Sequence, residues 1–588
     1  VSFEELLYKV EKPARYSGGE FNVPDVSKPH KISACLAFPD VYEVGMSNLG
    51  LQIIYDLINK NPDSAAERCF APWPDMGKLL KENGVLLPSI ETKRPLKNFD
   101  ILGFGVQYEM SYTNILYMLE LAGVPFFARE RGNEFPILLA GGTSAANPEP
   151  IADFFDVICV GDGENFVSQF LEIAAKFKGD KERILKEASL LEGAYVPSLS
   201  EVKDGMTVTP VKKAVVRDLN NSPFPEKPLV PNLAIVHDRP VVELFRGCYA
   251  GCRFCQAGFY YRPIRARGEE KVLSLAEKLI CNTGAEELGL SSLSTGDYPF
   301  IEGTLEKLSA AAKKKNVRLQ LPSLRLDSFT AKIIGGARKS GLTFAPEAGT
   351  QRLRDVINKN ITEEDIERTM RLAFSEGYRA VKLYFMVGLP TETDEDLLGI
   401  VDIVRKIQKI YFEVTGYKGV NISVSTSVFV PKPATPFQWA EQISVEEMKR
   451  RQKLVRDGLK PLRSVSYSWH EEPVSYLEGI LSRGGRELSQ TIVRAYQKGA
   501  VFDGWSEFFR FAVWEEAIKE TVGSAEKYTA RRDTAERLPW DFIDYGVRRD
   551  YLLKEYQNAL EGVSSEGCKY GCKGCGANGY VKCEVQKN

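Results

Sequence analysis

The feature that most limits how this chain can fold is a rhythm. Short apolar runs alternate with stretches of helical spacing, in two successive series. In the first series the strand-like runs are ISACLAFP (32–39), DILGFGVQ (100–107), FPILLAGG (135–142) and DVICVGDGE (156–164), with helical GLQIIYDLI (50–58) and NILYMLELAG (114–123) between them. Short buried strands separated by helices predict a parallel sheet covered on both faces, a Rossmann-like α/β domain over residues 1–200. Residues 201–236 carry several prolines, and NNSPFPEKPLVP (220–231) reads as a linker. The second series runs VVELF (241–245), ELGLSSLS (287–294), VRLQLPSLR (317–325), LTFAPE (342–347), AVKLYFMVG (380–388) and NISVSTSVFV (421–430). Six strand–helix units predict a partial (β/α)6 barrel over 237–440, with its site at the carboxyl ends of the strands. Residues 441–566 read as mainly helical, and 567–588 as a cysteine-rich tail.

Open parallel sheets bind ligands beyond the carboxyl ends of their strands. In the first domain those ends carry Ser47 and Asn48, Gln107 and Tyr108, Gly141, Gly142 and Thr143, and Gly161, Gly163 and Glu164. Such loops let the backbone approach a bulky polar ligand, and the same glycines also suit plain tight turns. With 77 basic and 79 acidic residues, no global polyanion-binding signature exists. Local basic clusters at Lys313–Lys315 and Lys449–Arg463 are solvated helix faces or contacts to nucleic acid or an acidic partner. No apolar run reaches membrane-span length, and VSFEELLYKVEK lacks a signal-peptide core, so a cytoplasmic protein without membrane contact is expected.

Seven of the 11 cysteines fall in two clusters, a pattern that in a reducing compartment points to metal rather than disulfides. Cys35, Cys69, Cys159 and Cys281 stand alone and read as small buried hydrophobes. GCYAGCRFCQAGF (247–259) follows the first barrel strand directly and places Cys248, Cys252 and Cys255 in one loop. Three thiolates can hold three irons of a [4Fe–4S] cluster and leave the fourth open, whereas a zinc site normally needs a fourth ligand that no neighbouring residue offers. Arg246 and Arg253 are placed to offset the cluster's charge.

This C-x3-C-x2-C spacing, with Phe254 before the last cysteine at the first strand of such a barrel, resembles the radical S-adenosylmethionine (SAM) superfamily. The resemblance implies that the open iron chelates SAM. A one-electron reductant such as flavodoxin or ferredoxin then drives its cleavage to methionine and a 5′-deoxyadenosyl radical. It further implies that Thr295, Gly296 and Asp297 of STGDY stand where the family holds the methionyl amine, although the letters differ from the usual Gly-Gly-Glu. Ser323 and Arg325 would contact the carboxylate, Glu347 the ribose (or only a turn), and Gly388 and Phe254 the adenine side.

An α/β domain ahead of such a barrel resembles the cobalamin-binding subclass, and GGTSAANPEPIADFFDVICVGDGE (141–164) is similar to the end of its cofactor domain. The Asp-x-His-x-x-Gly motif that ligates cobalt elsewhere is absent, and His30 lacks that context; either cobalt binds without a protein imidazole or the domain has lost cobalamin. The whole chain resembles a bacterial family with B12-binding-like and radical SAM domains, on HDRPVVELFRGCYAGCRFCQAGFYYRPIR (237–265), FVPKPATPFQW (429–439), GAVFDGW (499–505) and LPWDFIDYGV (538–547). The resemblance to the cobalamin-binding subclass implies mostly methylation of unactivated carbon or phosphorus, and also ring contractions and cyclisations; methyl transfer to an unactivated carbon is the leading expectation. The alternatives are cobalamin-independent methylthiolation or oxidation of RNA or protein, and a non-catalytic metal-stapled RNA-binding protein. In the tail, Cys568, Cys572 and Cys575 repeat the spacing and Cys583 supplies a further thiol, for an auxiliary [4Fe–4S] cluster or a four-thiolate zinc site. Without Cys583 an open iron there would favour sulfur insertion.

Overall fold

The computed structural model describes residues 1–320 and 341–583. Its first sheet contains β1 (Ile32–Phe38), β2 (Ser64–Phe70), β3 (Ile101–Gly105), β4 (Ile137–Gly141), β5 (Val157–Cys159) and β6 (Ala194–Tyr195), in the order β2-β1-β3-β4-β5-β6. All neighbours are parallel except β5 and β6. Successive side chains enter opposite cores: Cys35, Ala37, Leu102, Phe104 and Leu138 on one face, Ala34, Leu36, Ile101 and Leu139 on the other. That period of two, buried on both sides, is why these strands read as continuous apolar runs. Helices Leu49–Lys60 and Gly163–Lys176 cover the second face, and Tyr112–Ala122 covers the first.

Strand β2 is a finding the sequence rhythm did not yield. SAAERCF carries Glu67 and Arg68, yet both are buried because partners satisfy them. Arg68 pairs with Glu91 at 2.7 Å and Glu20 at 3.0 Å, while Glu67 accepts from Ser89 Oγ at 2.6 Å and Thr92 Oγ1 at 2.8 Å.

The linker forms a hairpin of β7 (Val202–Lys203) and β8 (Met206–Thr207), then β9 (Val211–Lys212). Among the described residues, seven parallel strands in two sheets follow. The first sheet orders β10 (Val241–Glu243), β13 (Glu287–Ser291) and β14 (Arg318–Gln320), and a short antiparallel pair, β11 (Phe245–Arg246) and β12 (Arg265–Ala266), flanks the first cysteine loop. The second orders β15 (Leu342–Glu347), β16 (Ala380–Val387), β17 (Asn421–Val428) and β18 (Val465–Trp469). The α/β fold class stands, with one strand more than expected: β18 lies beyond residue 440, and its VSYSW is too polar to announce itself. Ser323 and Arg325 lie outside the described residues.

The helical region after β18 does not keep a core to itself. Ile480, Ile492, Trp514 and Phe502 share one apolar cluster with the first face of the N-terminal sheet. Trp73 meets Phe502, Trp505 and Phe508 at ring distances of 5.2, 5.1 and 5.0 Å, and Asn114 accepts from the Phe502 amide at 2.7 Å. GAVFDGW is thus a docking segment, and β19 (Ile543–Asp544) of LPWDFIDYGV pairs in parallel with β9. Among the described residues no helix is long and apolar enough to cross a membrane.

Candidate functional site

The carboxyl edge of the N-terminal sheet faces the first barrel strand across a cavity of ≈460 Å³. Register brings Gly105, Gly141 and Cys159 side by side at that edge, and all of them line the cavity. Asn48, Gln107, Gly142, Gly161, Gly163 and Glu164 line it from the same domain, and Glu243, Phe245, Arg246, Gly247, Tyr260 and Tyr261 from the barrel side. Gly161 is required for backbone reasons as well: at φ +110°, a Cβ there would lie 2.2 Å from the Ala214 carbonyl oxygen. Three of the expected loop residues do not line the cavity. The Ser47 hydroxyl accepts from the His237 amide at 3.0 Å, Tyr108 donates to Glu478 at 2.9 Å, and Thr143 Oγ1 sits 3.1 Å from both Gln107 Oε1 and the Tyr261 hydroxyl.

A charge network closes the cavity floor. Arg246 meets Asp162 at 3.2 Å, Glu164 at 2.6 Å and Glu243 at 2.8 Å; Arg265 also pairs with Asp162, and Arg267 with Glu243 at 3.0 Å. Burial opposes the charged form of Asp162, but Arg265 and Arg246 outweigh it and hold this carboxyl well below the usual range. Glu243 is lowered in the same way, burial being overcome by Arg246. Lys213 donates to the Tyr260 carbonyl at 2.5 Å and the Arg262 carbonyl at 2.7 Å, and burial pushes it down to about 7. Sequence reading missed Lys213, Arg265 and Arg267; the density of arginine in YYRPIRAR was the available signal.

These carboxylates have folded pKa values depressed below their unfolded ones. Their contribution is therefore present above the unfolded value and is lost as pH falls toward the folded one. Stability should fall on acidification below about pH 5, and Asp162→Asn should flatten that dependence by up to about 1.4 kcal/mol per pH unit. Denaturant midpoints measured across that range in both proteins check this.

The first cysteine loop abuts the cavity, since Gly247 lines it and Cys248 comes next. The Cys255 amide donates to the Cys252 carbonyl at 3.1 Å, and desolvation, with Cys252 and Cys248 adding repulsion, pushes the Cys255 thiol up to about 12. Among the described residues no three His, Cys, Asp or Glu side chains gather around a single metal ion. The loop offers instead three soft donors on one wrap, a donor set that suits an iron–sulfur cluster. The expected charge balance by Arg246 and Arg253 is not found. Arg246 is held by the carboxylates, and Arg253 by Glu555 at 3.0 Å and the Val356 and Val563 carbonyls at 2.9 and 2.7 Å. Lys359 is a cation close enough to act on the Cys255 thiol, 6.0 Å from the Phe254 ring centre and 3.1 Å from Glu347. Glu347 itself adopts φ +69°, a strained setting for a non-glycine residue.

At the end of β13, Thr295 Oγ1 lies 2.8 Å from Ser292 Oγ, and Asp297 meets Lys569 of the tail at 3.2 Å, with Gly296 between. The Gly388 amide donates to Glu392 at 2.9 Å at the end of β16. Of the lone cysteines, Cys35, Cys69 and Cys159 are buried, but Cys281 is exposed and lies 2.8 Å from Lys315 Nζ, which corrects its reading as a buried hydrophobe.

Two family models match: "Radical SAM proteins, N-terminal" over residues 50–197 and "Radical SAM superfamily" over residues 242–404. An uncharacterised protein of Methanocaldococcus jannaschii is 27% identical over 83% of this chain and 98% of its own. A ribosomal protein uS12 methylthiotransferase of Acidithiobacillus ferrooxidans is 23% identical over 49% of this chain and 67% of its own. A solved cobalamin-dependent SAM radical enzyme is 13% identical, with a TM-score of 0.47 over 90% of this chain and 78% of that one.

Proposed function

Since the chain belongs to the radical SAM superfamily and is a radical SAM enzyme, we propose that it works with cobalamin as methyl carrier and transfers a methyl group to an unactivated carbon. The observation that carries this reading is the ≈460 Å³ cavity between the two domains, which reaches Gly247 beside the cysteine loop. Glycine-lined backbone on one wall and Phe245, Tyr260 and Tyr261 on the other suit a broad, flat, largely apolar ligand. Asn48 Oδ1 is used by the Leu51 amide and Gln107 Oε1 by Thr143, which leaves their amide N–H2 groups as donors at the rim.

When bound, the cluster and SAM supply a radical by reductive cleavage, and cobalamin supplies a methyl carrier. Cys248, Cys252 and Cys255 would hold the cluster. Phe254, Thr295, Gly296, Asp297, Glu347 and Gly388 would line the SAM side. The Arg246 network keeps the two domains at one separation, and Lys213 fixes the Tyr260–Arg262 turn through two carbonyls. A protein or RNA substrate and a flavodoxin- or ferredoxin-type reductant complete the reading.

Gly141→Phe tests it. A Cβ at Gly141 finds only ordinary contacts, 3.8 Å to Cys159 Cβ, so the backbone tolerates the change while the ring enters the cavity. Corrinoid retained through gel filtration should fall at least about tenfold; undiminished retention would move cobalamin out of this cavity.

A second reading, methylthiolation, is favoured by the tail thiols beside the first cysteine loop and by the methylthiotransferase relative. The product separates the two: a methyl group alone supports methyl transfer, and a methyl group with a sulfur atom supports the second.

A further inference from the structure

The tail is clasped against the first cysteine loop. The Cys568 amide donates to the Tyr249 carbonyl at 2.7 Å. A Cβ on Gly567 would lie 2.7 Å from that same oxygen, so glycine alone lets the chains approach this closely. Asn358 ties the segments together, donating to the Gly251 carbonyl at 3.1 Å and accepting from the Ser565 amide at 2.8 Å. Arg253, inside the loop, donates to Val563 just ahead of the tail.

Four thiols lie along this clasp, with no three of them converging on the geometry of a single metal ion. Cys568 is within charge range of Cys575 and Cys572, and Cys583 of Cys575 and Cys568. Asn578 links two of them, donating to Cys572 Sγ at 3.0 Å and accepting from the Cys583 amide at 3.0 Å. Cys583 is therefore folded back onto the trio rather than trailing away from it.

An independent sign of a ligand is Arg262. It is 2% exposed, its Nε donates to the Gly258 carbonyl at 3.1 Å, and its Nη1 is buried with no partner in hydrogen-bond geometry. The groups that act most on its charge are Cys568, Tyr551 and Cys575, and the Tyr551 side chain also lies within hydrogen-bonding reach of the guanidinium. A buried guanidinium with an unmet donor is costly, and an anionic thiolate-bound centre would relieve that cost. The spacing selects among such centres. Three cysteines from one short loop with a fourth at a distance resemble the C-x4-C-x2-C…C arrangement of iron–sulfur proteins, whereas four-thiolate zinc sites draw on two separated close pairs.

We propose that Cys568, Cys572, Cys575 and Cys583 bind an iron–sulfur cluster in a closed four-thiolate site, that Arg262 balances its charge, and that this site holds the first cysteine loop in place. This deepens the reading above for a second metal site, and its test is independent of SAM turnover. The full chain with Cys248, Cys252 and Cys255 all changed to Ala, reconstituted anaerobically with iron and sulfide, should retain about two to four irons and visible charge-transfer absorbance. Further change of the four tail cysteines to Ser should remove both. Arg262→Met should lower the reduction potential of the tail cluster in an EPR-monitored titration, and Arg262→Lys should restore it. With the first trio intact, changing the tail cysteines to Ser should weaken iron retention at the first site by about tenfold or more. A triple variant that is iron-free, or that holds zinc instead, would overturn the proposal. An unchanged potential in Arg262→Met would remove the role given to arginine, and unchanged iron retention at the first site would remove the loop-holding role.

Discussion

Changing Cys252 to Ala is expected to lower dithionite-driven 5′-deoxyadenosine formation by more than about a hundredfold, since loss of a direct ligand costs more than loss of the residues behind it. The loop has no replacement donor. Cys252 is buried in the middle of the wrap, its carbonyl is held by the Cys255 amide, and the two arginines nearby in sequence are engaged elsewhere. Iron should fall by about half to two-thirds, because the tail site keeps its own. Chromatographic quantification of 5′-deoxyadenosine alongside iron analysis gives both readouts. Near-normal turnover in this variant would mean that the cluster is not held at this loop.

The second large effect is expected at the domain junction. Arg246→Met leaves Glu164 and Glu243 buried without their main cation and strips Asp162 of one of two, at a cost of about 3–5 kcal/mol. Chemical denaturation should show a lower midpoint at an unchanged slope, the signature of lost stability rather than altered compactness. Arg246→Lys should recover part of the loss, since an ammonium cannot serve three carboxylates with a fixed fork. Corrinoid retention should fall in parallel, because Arg246 also lines the cavity.

Much of the architecture was legible because each local signal agreed with the global fold. Apolar runs such as ISACLAF and FPILLAGG are buried on both faces of a sheet, and Gly105 and Gly141 at the ends of β3 and β4 mark the edge where the cavity lies. What escaped reading was the part decided by tertiary partners. SAAERCF is a buried edge strand only because Glu20 and Glu91 pair with its arginine while Ser89 and Thr92 donate to its glutamate. VSYSW extends the second barrel sheet with a largely exposed face, so no hydrophobic pattern betrays it. The C-terminal helices look self-sufficient in sequence but pack through Phe502 and Trp514 against the N-terminal domain.

At the site, local spacing grouped the cysteines, while charge balance could not be assigned from sequence neighbours. Arg253 precedes the Cys255 loop end by two positions, yet it serves Glu555, three hundred residues away. Lys359, remote in sequence, is a cation that acts on the Cys255 thiol. Side-chain direction in a tight loop is set by which carbonyls and carboxylates fold against it, and those lay in other elements.

The most direct measurement is corrinoid binding by the full chain: anaerobic incubation with cobalamin, gel filtration, and absorbance of the protein peak. The expected result is about one corrinoid per chain, occupying a single largely pre-formed cavity. Folded protein that forms 5′-deoxyadenosine yet retains no corrinoid would contradict the assignment of the interdomain cavity and leave methylthiolation as the reading to pursue.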